Sequence, residues 1–229
     1  MPSRRHSENA AKVDPEKVYP MSEAFGTLKS LRKAKFDETV ECAVRLGVDP
    51  KKSDQMVRGA VSLPNGLGKS VRVIAFAEGA AADQARAAGA MEVGGDELAA
   101  KIEGGWTDFD VVIAHPAMMR VVGKLGRVLG PQGKMPSPKS GTVTPNVGQA
   151  VKEFQAGKVE FRVDAGGNVH VPIGKISFTP QALEQNARAF LDYVATLRPA
   201  SAKGHYVRNV SISSTMGPGL KVEYASAAI

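Results

Sequence analysis

Apolar and polar residues follow one rhythm at the two ends of this chain and another in its middle. Near the start, Ser22 can cap a helix running to about Lys35, with Ala24, Leu28 and Leu31 inward and Lys29, Arg32 and Lys33 outward. Strands follow at about 37–47 and 57–63, and Pro64-Asn-Gly-Leu-Gly68 breaks the pattern. From Val71 strands and helices alternate. Val71–Ala77 is an apolar strand, Ala80–Ala88 an Ala-rich helix, Met91–Gly94 a short strand and Asp96–Glu103 a helix capped by Asp96. Asp110–Ala114 is a second apolar strand, and a further helix opens on Pro116, a favoured first helical position. Continuously apolar strands alternating with helices mark a small parallel α/β sheet.

The alternation ends near Gly157. Lys158–Asp164 and Asn168–Ile176 then read as a hairpin turning on Gly166-Gly167. Val159, Phe161, Val163, Val169, Val171 and Ile173 would form its core face, with Glu160, Arg162 and His170 on the polar one. A long helix starts at Ser177 or Thr179, carries Leu183, Ala187, Phe190, Leu191, Val194 and Leu197 on one stripe, and is closed by Pro199. Neither terminal segment closes a sheet alone. The expected fold is therefore α+β and α/β in two domains. Residues 1–67 and 159–229 would form a discontinuous two-layer α+β domain, and 68–158 an inserted Rossmann-like α/β domain. Two crossings between them would make a natural hinge.

Residues 204–220 carry the most specific pattern. Alternate residues of a strand share a face, so Asn209, Ser211, Ser213 and Thr215 point one way, Val210 and Ile212 the other. This hydroxyl row offers hydrogen bonds without charge. The turn beyond it adds the soft apolar Met216, and Gly217 lets a partner approach the backbone. Such a surface suits the sugars and base edges of folded RNA. A surface strand ending in an ordinary Gly-Pro turn is the plainer alternative.

Composition alters this picture mainly through charge. Thirty Lys and Arg against 23 Asp and Glu give the 229-residue chain a net charge of +7, which favours a polyanionic partner. The one cysteine, Cys42, excludes an internal disulfide framework and a thiolate zinc site, and its apolar neighbours Val40, Val44 and Leu46 mark it as buried. No apolar run reaches the roughly 18 residues of a membrane span. Met-Pro-Ser-Arg-Arg-His-Ser has no apolar segment behind it, and reads as a disordered basic tail rather than a signal peptide.

Catalytic motifs fail on context. Gly66-Leu-Gly-Lys-Ser70 lacks the first Gly of a phosphate-binding loop, where Leu63 stands, and precedes a strand instead of a helix. His115 follows an apolar strand at the edge where α/β domains place ligands, but no partner is spaced to activate it. The four histidines show no metal-ligand spacing. Neither an enzyme nor a cofactor is expected.

Two basic segments stand out. Val111–Lys152 holds Arg120, Lys124, Arg127, Lys134, Lys139 and Lys152 with no Asp or Glu. Arg120, Lys124 and Arg127 fall at i, i+4 and i+7 as one stripe, and with Lys134 and Lys139 they are candidate phosphate contacts. Lys33-Ala-Lys35-Phe36-Asp37 ends the first helix with two lysines and an aromatic. Phe36 is either core at a helix–strand junction or an edge for stacking on a sugar.

Taken together, Lys33–Glu41, Gln55–Lys69, Gly123–Gly133, Phe161-Arg-Val-Asp164 and Ser214-Thr-Met-Gly-Pro218 resemble the bacterial ribosomal protein L-one family, proteins of the mobile side stalk of the large subunit. The resemblance runs from about Val18 to Val222. It implies the two-domain, hinged fold and binding of large-subunit ribosomal RNA through the discontinuous domain. The RNA surface it implies is Phe36, Thr215, Met216 and Gly217, with Lys35, Ser213, Arg162 and His170 as neighbours. It also implies help in releasing exit-site tRNA, and repression of translation from the protein's own operon messenger. Gln132 and Ser137 stand where the family usually has Arg and Asn, and Ala165-Gly-Gly167 replaces a more polar turn.

The expected partners are thus side-stalk ribosomal RNA, exit-site tRNA and the operon messenger. The chain is expected in the cytoplasm on the ribosome, with no membrane partner, and as a monomer off the ribosome. The competing classes are a nonspecific basic nucleic-acid binder and a small-molecule enzyme on the α/β domain.

Overall fold

Val40, Cys42, Val44 and Leu46 alternate with Thr39, Glu41, Ala43 and Arg45, and the strand they define is buried on one face and open on the other. A computed structural model describes residues 3–224. Along the chain it has α1 (Arg4–Ala10), β1 (Val18–Tyr19), α2 (Met21–Ser30), β2 (Thr39–Leu46) and β3 (Arg58–Ser62). Next come β4 (Val73–Phe76), α3 (Ala80–Ala87), β5 (Glu92–Gly94), α4 (Asp96–Glu103), β6 (Val111–Ala114), α5 (Met119–Lys124), α6 (Gly126–Leu129) and α7 (Val147–Ala156). The chain ends with β7 (Lys158–Arg162), β8 (Asn168–Lys175), α8 (Pro180–Thr196), β9 (Val207–Ser214) and β10 (Leu220–Val222).

The chain divides into two compact units, one running up to Gly68 and again from Val159, the other Lys69–Lys158. Gly68 closes the first, one residue past the expected line. It has φ +68° and sits so close to Phe178 that an added Cβ would meet the ring at 2.7 Å.

The discontinuous unit has two layers. Its main sheet runs β1-β10-β9-β2-β8, antiparallel except where β1 joins β10. Helices α2 and α8 pack on one face. Ala24, Phe25 and Leu28 of α2 and Leu183, Ala187, Phe190, Leu191 and Val194 of α8 bury the apolar side of the strands. Thr179 caps α8, its Oγ1 accepting from the Ala182 amide at 3.2 Å.

The other unit is a three-stranded parallel sheet, β5-β4-β6, clad on both sides. Val73, Ala75 and Ala77 face α3 and α7, whereas Ile74 and Phe76 face the cluster of α4, α5 and α6. Strands covered on both faces are apolar throughout, as Val73–Phe76 is.

Four local expectations are corrected. The helix that starts at Met21 stops at Ser30 instead of Lys35, because Asn9 captures the backbone of Arg32: its Nδ2 donates to Arg32 O and its Oδ1 accepts from Arg32 N, both at 2.9 Å. The segment read as a disordered tail contains α1, which Ser3 caps through the His6 amide at 3.3 Å; Met1 and Pro2 lie outside the described residues. Asp96 is the first residue of its helix, following Gly95 at the cap. The two arms of the expected hairpin turn at Asp164–Gly167 but lie in different sheets, β7 with β3 and β8 with β2. Phe161 draws β7 away by packing edge-on against Phe190, at 5.5 Å, and Tyr193, at 6.0 Å.

Candidate nucleic-acid interface

The face of the main sheet opposite the helices is set out in rows by register. Ser213 lies beside Glu41 and then Pro172, Ser211 beside Ala43 and then His170, and Asn209 beside Arg45 and then Asn168. Lys221 extends the middle row on the other side of Ser211. These residues are exposed or half-buried, in contrast with the buried Val210 and Ile212 between them. The hydroxyl row is therefore central in the sheet, with His170 two strands away. Strand spacing puts them about 10 Å apart.

At one end of the sheet, beyond the paired strands, stand two exposed apolar side chains, Phe36 at 55% and Met216 at 49% exposure. Glu38 joins the segments that carry them. It is buried, and its carboxylate accepts from the Ala34 amide at 2.6 Å, the Ser214 hydroxyl at 2.7 Å and the Met216 amide at 3.0 Å. Burial alone would raise its pKa. The Ser214, Ala34 and Met216 hydrogen bonds, helped by the charge of Arg5, outweigh it and hold Glu38 below the ordinary glutamate range. An ionised, fully satisfied carboxylate thus fixes the Phe36 loop and the Met216 turn relative to each other.

Two further ties rigidify the pair. Thr215 is hydrogen-bonded to Thr39 through backbone and hydroxyl, and Asp37 accepts from the Ser177 amide at 3.1 Å and hydroxyl at 2.8 Å. Gly217 closes the turn by donating to Ser214 O at 3.0 Å, and a Cβ there would meet Ser214 Oγ at 2.5 Å. A side chain at 217 would therefore crowd a neighbour inside the protein, and Gly217 itself is half-buried.

The other candidates fall in different places. Lys35 is exposed on the Phe36 loop, and Ser213 is on the open face. His170 shares that face, 3.7 Å from Asp164, whose pKa is lowered chiefly by the Asn168 amide. Arg162 sits on the small sheet with β3, its Nη2 3.7 Å from Met56 Sδ, and does not join the rows.

In the other unit, Arg120, Lys124 and Arg127 are exposed, but the helix that carries them is interrupted at Leu125. Lys139 is exposed in a short turn of helix capped by Ser137. Lys134 is engaged internally, donating to Thr107 O at 3.0 Å and lying 4.8 Å over the Phe109 ring. Cys42 is fully buried, with its thiol pushed up to about 12 by desolvation, and is no nucleophile. Among the described residues, no group of His, Cys, Asp and Glu could hold a metal ion, and no helix is long and apolar enough to cross a membrane.

Glu38, Ser214 and Thr39 were not singled out by the sequence reading, yet the alternation contains them. Stepping back from Val40, Cys42 and Val44 puts Glu38 on the inward face, and stepping forward from Val210 and Ile212 puts Ser214 there too. A buried acid at a strand end requires donors, and a hydroxyl facing it supplies one.

The site is thus an open polar sheet face rich in hydroxyl and amide groups, with two exposed apolar side chains tied together at the end of the sheet. Comparisons with known proteins give the chain a family. Residues 28–218 match the model of the ribosomal protein L1p/L10e family. The large ribosomal subunit protein uL1 of Protochlamydia amoebophila (strain UWE25) is 54% identical over 222 residues, covering 97% of this chain and 94% of the relative. The chain belongs to this family of ribosomal proteins and is not an enzyme.

Proposed function

We propose that the chain is a structural constituent of the large ribosomal subunit in the cytoplasm, and that it binds large-subunit ribosomal RNA of the side stalk. Phe36, Met216 and Gly217 would make the shape-specific contacts, with Lys35 and Ser213 beside them. Thr215 would support the turn, and His170 would border the surface. The observation that carries this reading is the Glu38 bridge, which holds two exposed apolar side chains in fixed relation at the end of a polar sheet. A surface that meets splayed bases and sugars needs such preorganised apolar contacts, because phosphate attraction alone does not select among folded RNAs.

Arg120, Lys124, Arg127 and Lys139 remain as secondary phosphate contacts in the inserted unit. Assistance to exit-site tRNA release, and repression through a messenger copy of the ribosomal site, extend the same proposal on family grounds.

The test is binding of the purified chain to a side-stalk fragment of large-subunit ribosomal RNA and to a scrambled hairpin of equal length, with Phe36→Ala alongside. Preference for the fragment, lost in Phe36→Ala, is the expected result. Equal binding to both RNAs would leave only a basic nucleic-acid binder.

A further inference from the structure

Helix α1 is docked beside the candidate interface. Asn9, 2% exposed, makes two hydrogen bonds to the backbone of Arg32, and the Arg32 guanidinium meets Glu8 at 2.9 Å. These ties fix the helix on the loop that leads to Lys33, Lys35 and Phe36. Residues four apart share a helix face, so Arg5 lies one turn from Asn9 on the docked side. There it is near enough to act on the Glu38 carboxylate. Arg4 and Arg32 share Glu8, but Lys33 and Lys35 have no carboxylate within ion-pair distance among the described residues. Arg5 is half-buried, with part of its side chain facing solvent.

We infer that α1 is a basic arm of the interface, docked by Asn9 so that the Arg5 guanidinium, with Lys33 and Lys35, contacts the phosphates of the RNA strand that lies over Phe36 and Met216. The contact comes from side chains and not from the end of the helix. Docking in advance removes the entropy that a flexible tail would lose on binding. The inference rests on the RNA reading above.

Affinity of the full chain for the side-stalk fragment, measured across a range of salt concentrations, separates the two. Arg5→Gln is expected to reduce the slope of log K against log salt by roughly 0.7 to 0.9, the amount for one phosphate contact, and to weaken binding severalfold at low salt. Asn9→Ala removes no charge but undocks the helix, and is expected to reduce the slope similarly. Met216→Ala is expected to weaken binding with the slope unchanged. A wild-type slope in Arg5→Gln overturns the arm, and so does wild-type binding by an Asn9→Ala chain that melts as wild type does. If Asn9→Ala fails to fold, Arg5→Gln carries the test alone. A wild-type chain that does not prefer the fragment to a scrambled hairpin defeats the underlying RNA reading instead.

Discussion

Thr215 and Thr39 are joined by three hydrogen bonds: Thr215 N to Thr39 O at 3.0 Å, Thr39 N to Thr215 Oγ1 at 3.0 Å, and Thr215 Oγ1 to Thr39 O at 3.2 Å. The hydroxyl takes the place of the next rung, continuing the pairing of β2 with β9 past the last residue of the strand. Thr215 therefore acts on the neighbouring Met216 by fixing the backbone beneath it.

Thr215→Val removes both hydroxyl bonds and leaves the Thr39 amide without its partner. Unfolding in urea should show a loss of about 1–2 kcal/mol, together with weaker RNA binding. Thr215→Ser should restore most of both. A Val variant that is as stable as wild type would contradict the tether.

Glu38 gives a pH dependence whose sign is fixed. Its folded pKa lies below the ordinary value, so its stabilisation is full above the unfolded pKa and is lost as pH falls through the folded one. Glu38→Gln should cost about 1.5–3 kcal/mol at neutral pH, the scale of a hydrogen bond to a charged group. The gap between wild type and variant should shrink on acidification, in urea unfolding followed from pH 7 to pH 3.

Gly217→Ala would press a methyl group against Ser214 Oγ, which donates to Glu38 at 2.7 Å. Overpacking of this kind costs about 1–3 kcal/mol, and here it should loosen the Met216 turn as well. Adding Ser214→Ala removes the clashing atom, since Ser214 Cβ would be 3.7 Å away. The double variant should thus lose less than the sum of the two single changes, which a double-mutant cycle measures directly.

Cys42 should be inert. Its thiol is fully buried and pushed up to about 12, so a thiol reagent should label it only after denaturation. Rapid labelling of the native chain would place the thiol at the surface and contradict the packing of β2.

Most of the framework was legible because burial imposes period. The apolar strands Val73–Phe76 and Val111–Ala114, and the stripe on Pro180–Thr196, lie where the pattern indicates. The misreadings came from contacts distant in sequence. Asn9 ends α2 from 23 residues away, and no local propensity at Leu31 reports that. Phe161 carries β7 to another sheet through the rings of α8, although the turn chemistry of Gly166-Gly167 suits a hairpin. Met216 was legible as an apolar residue on an exposed turn, whereas the pattern around Phe36 suited a core position equally, and only the structure shows it exposed. Glu38 was legible only to a reader who extended the alternation one step and asked what a buried carboxylate would accept from.

In the proposed function, docking depends on shape at Met216 and not on charge alone. The most direct measurement is the affinity of Met216→Ala for the side-stalk fragment at two salt concentrations, with thermal unfolding as the control. A loss of about tenfold or more at both, about 1.4 kcal/mol, is expected, with unfolding unchanged. Affinity equal to wild type in a folded variant would contradict it.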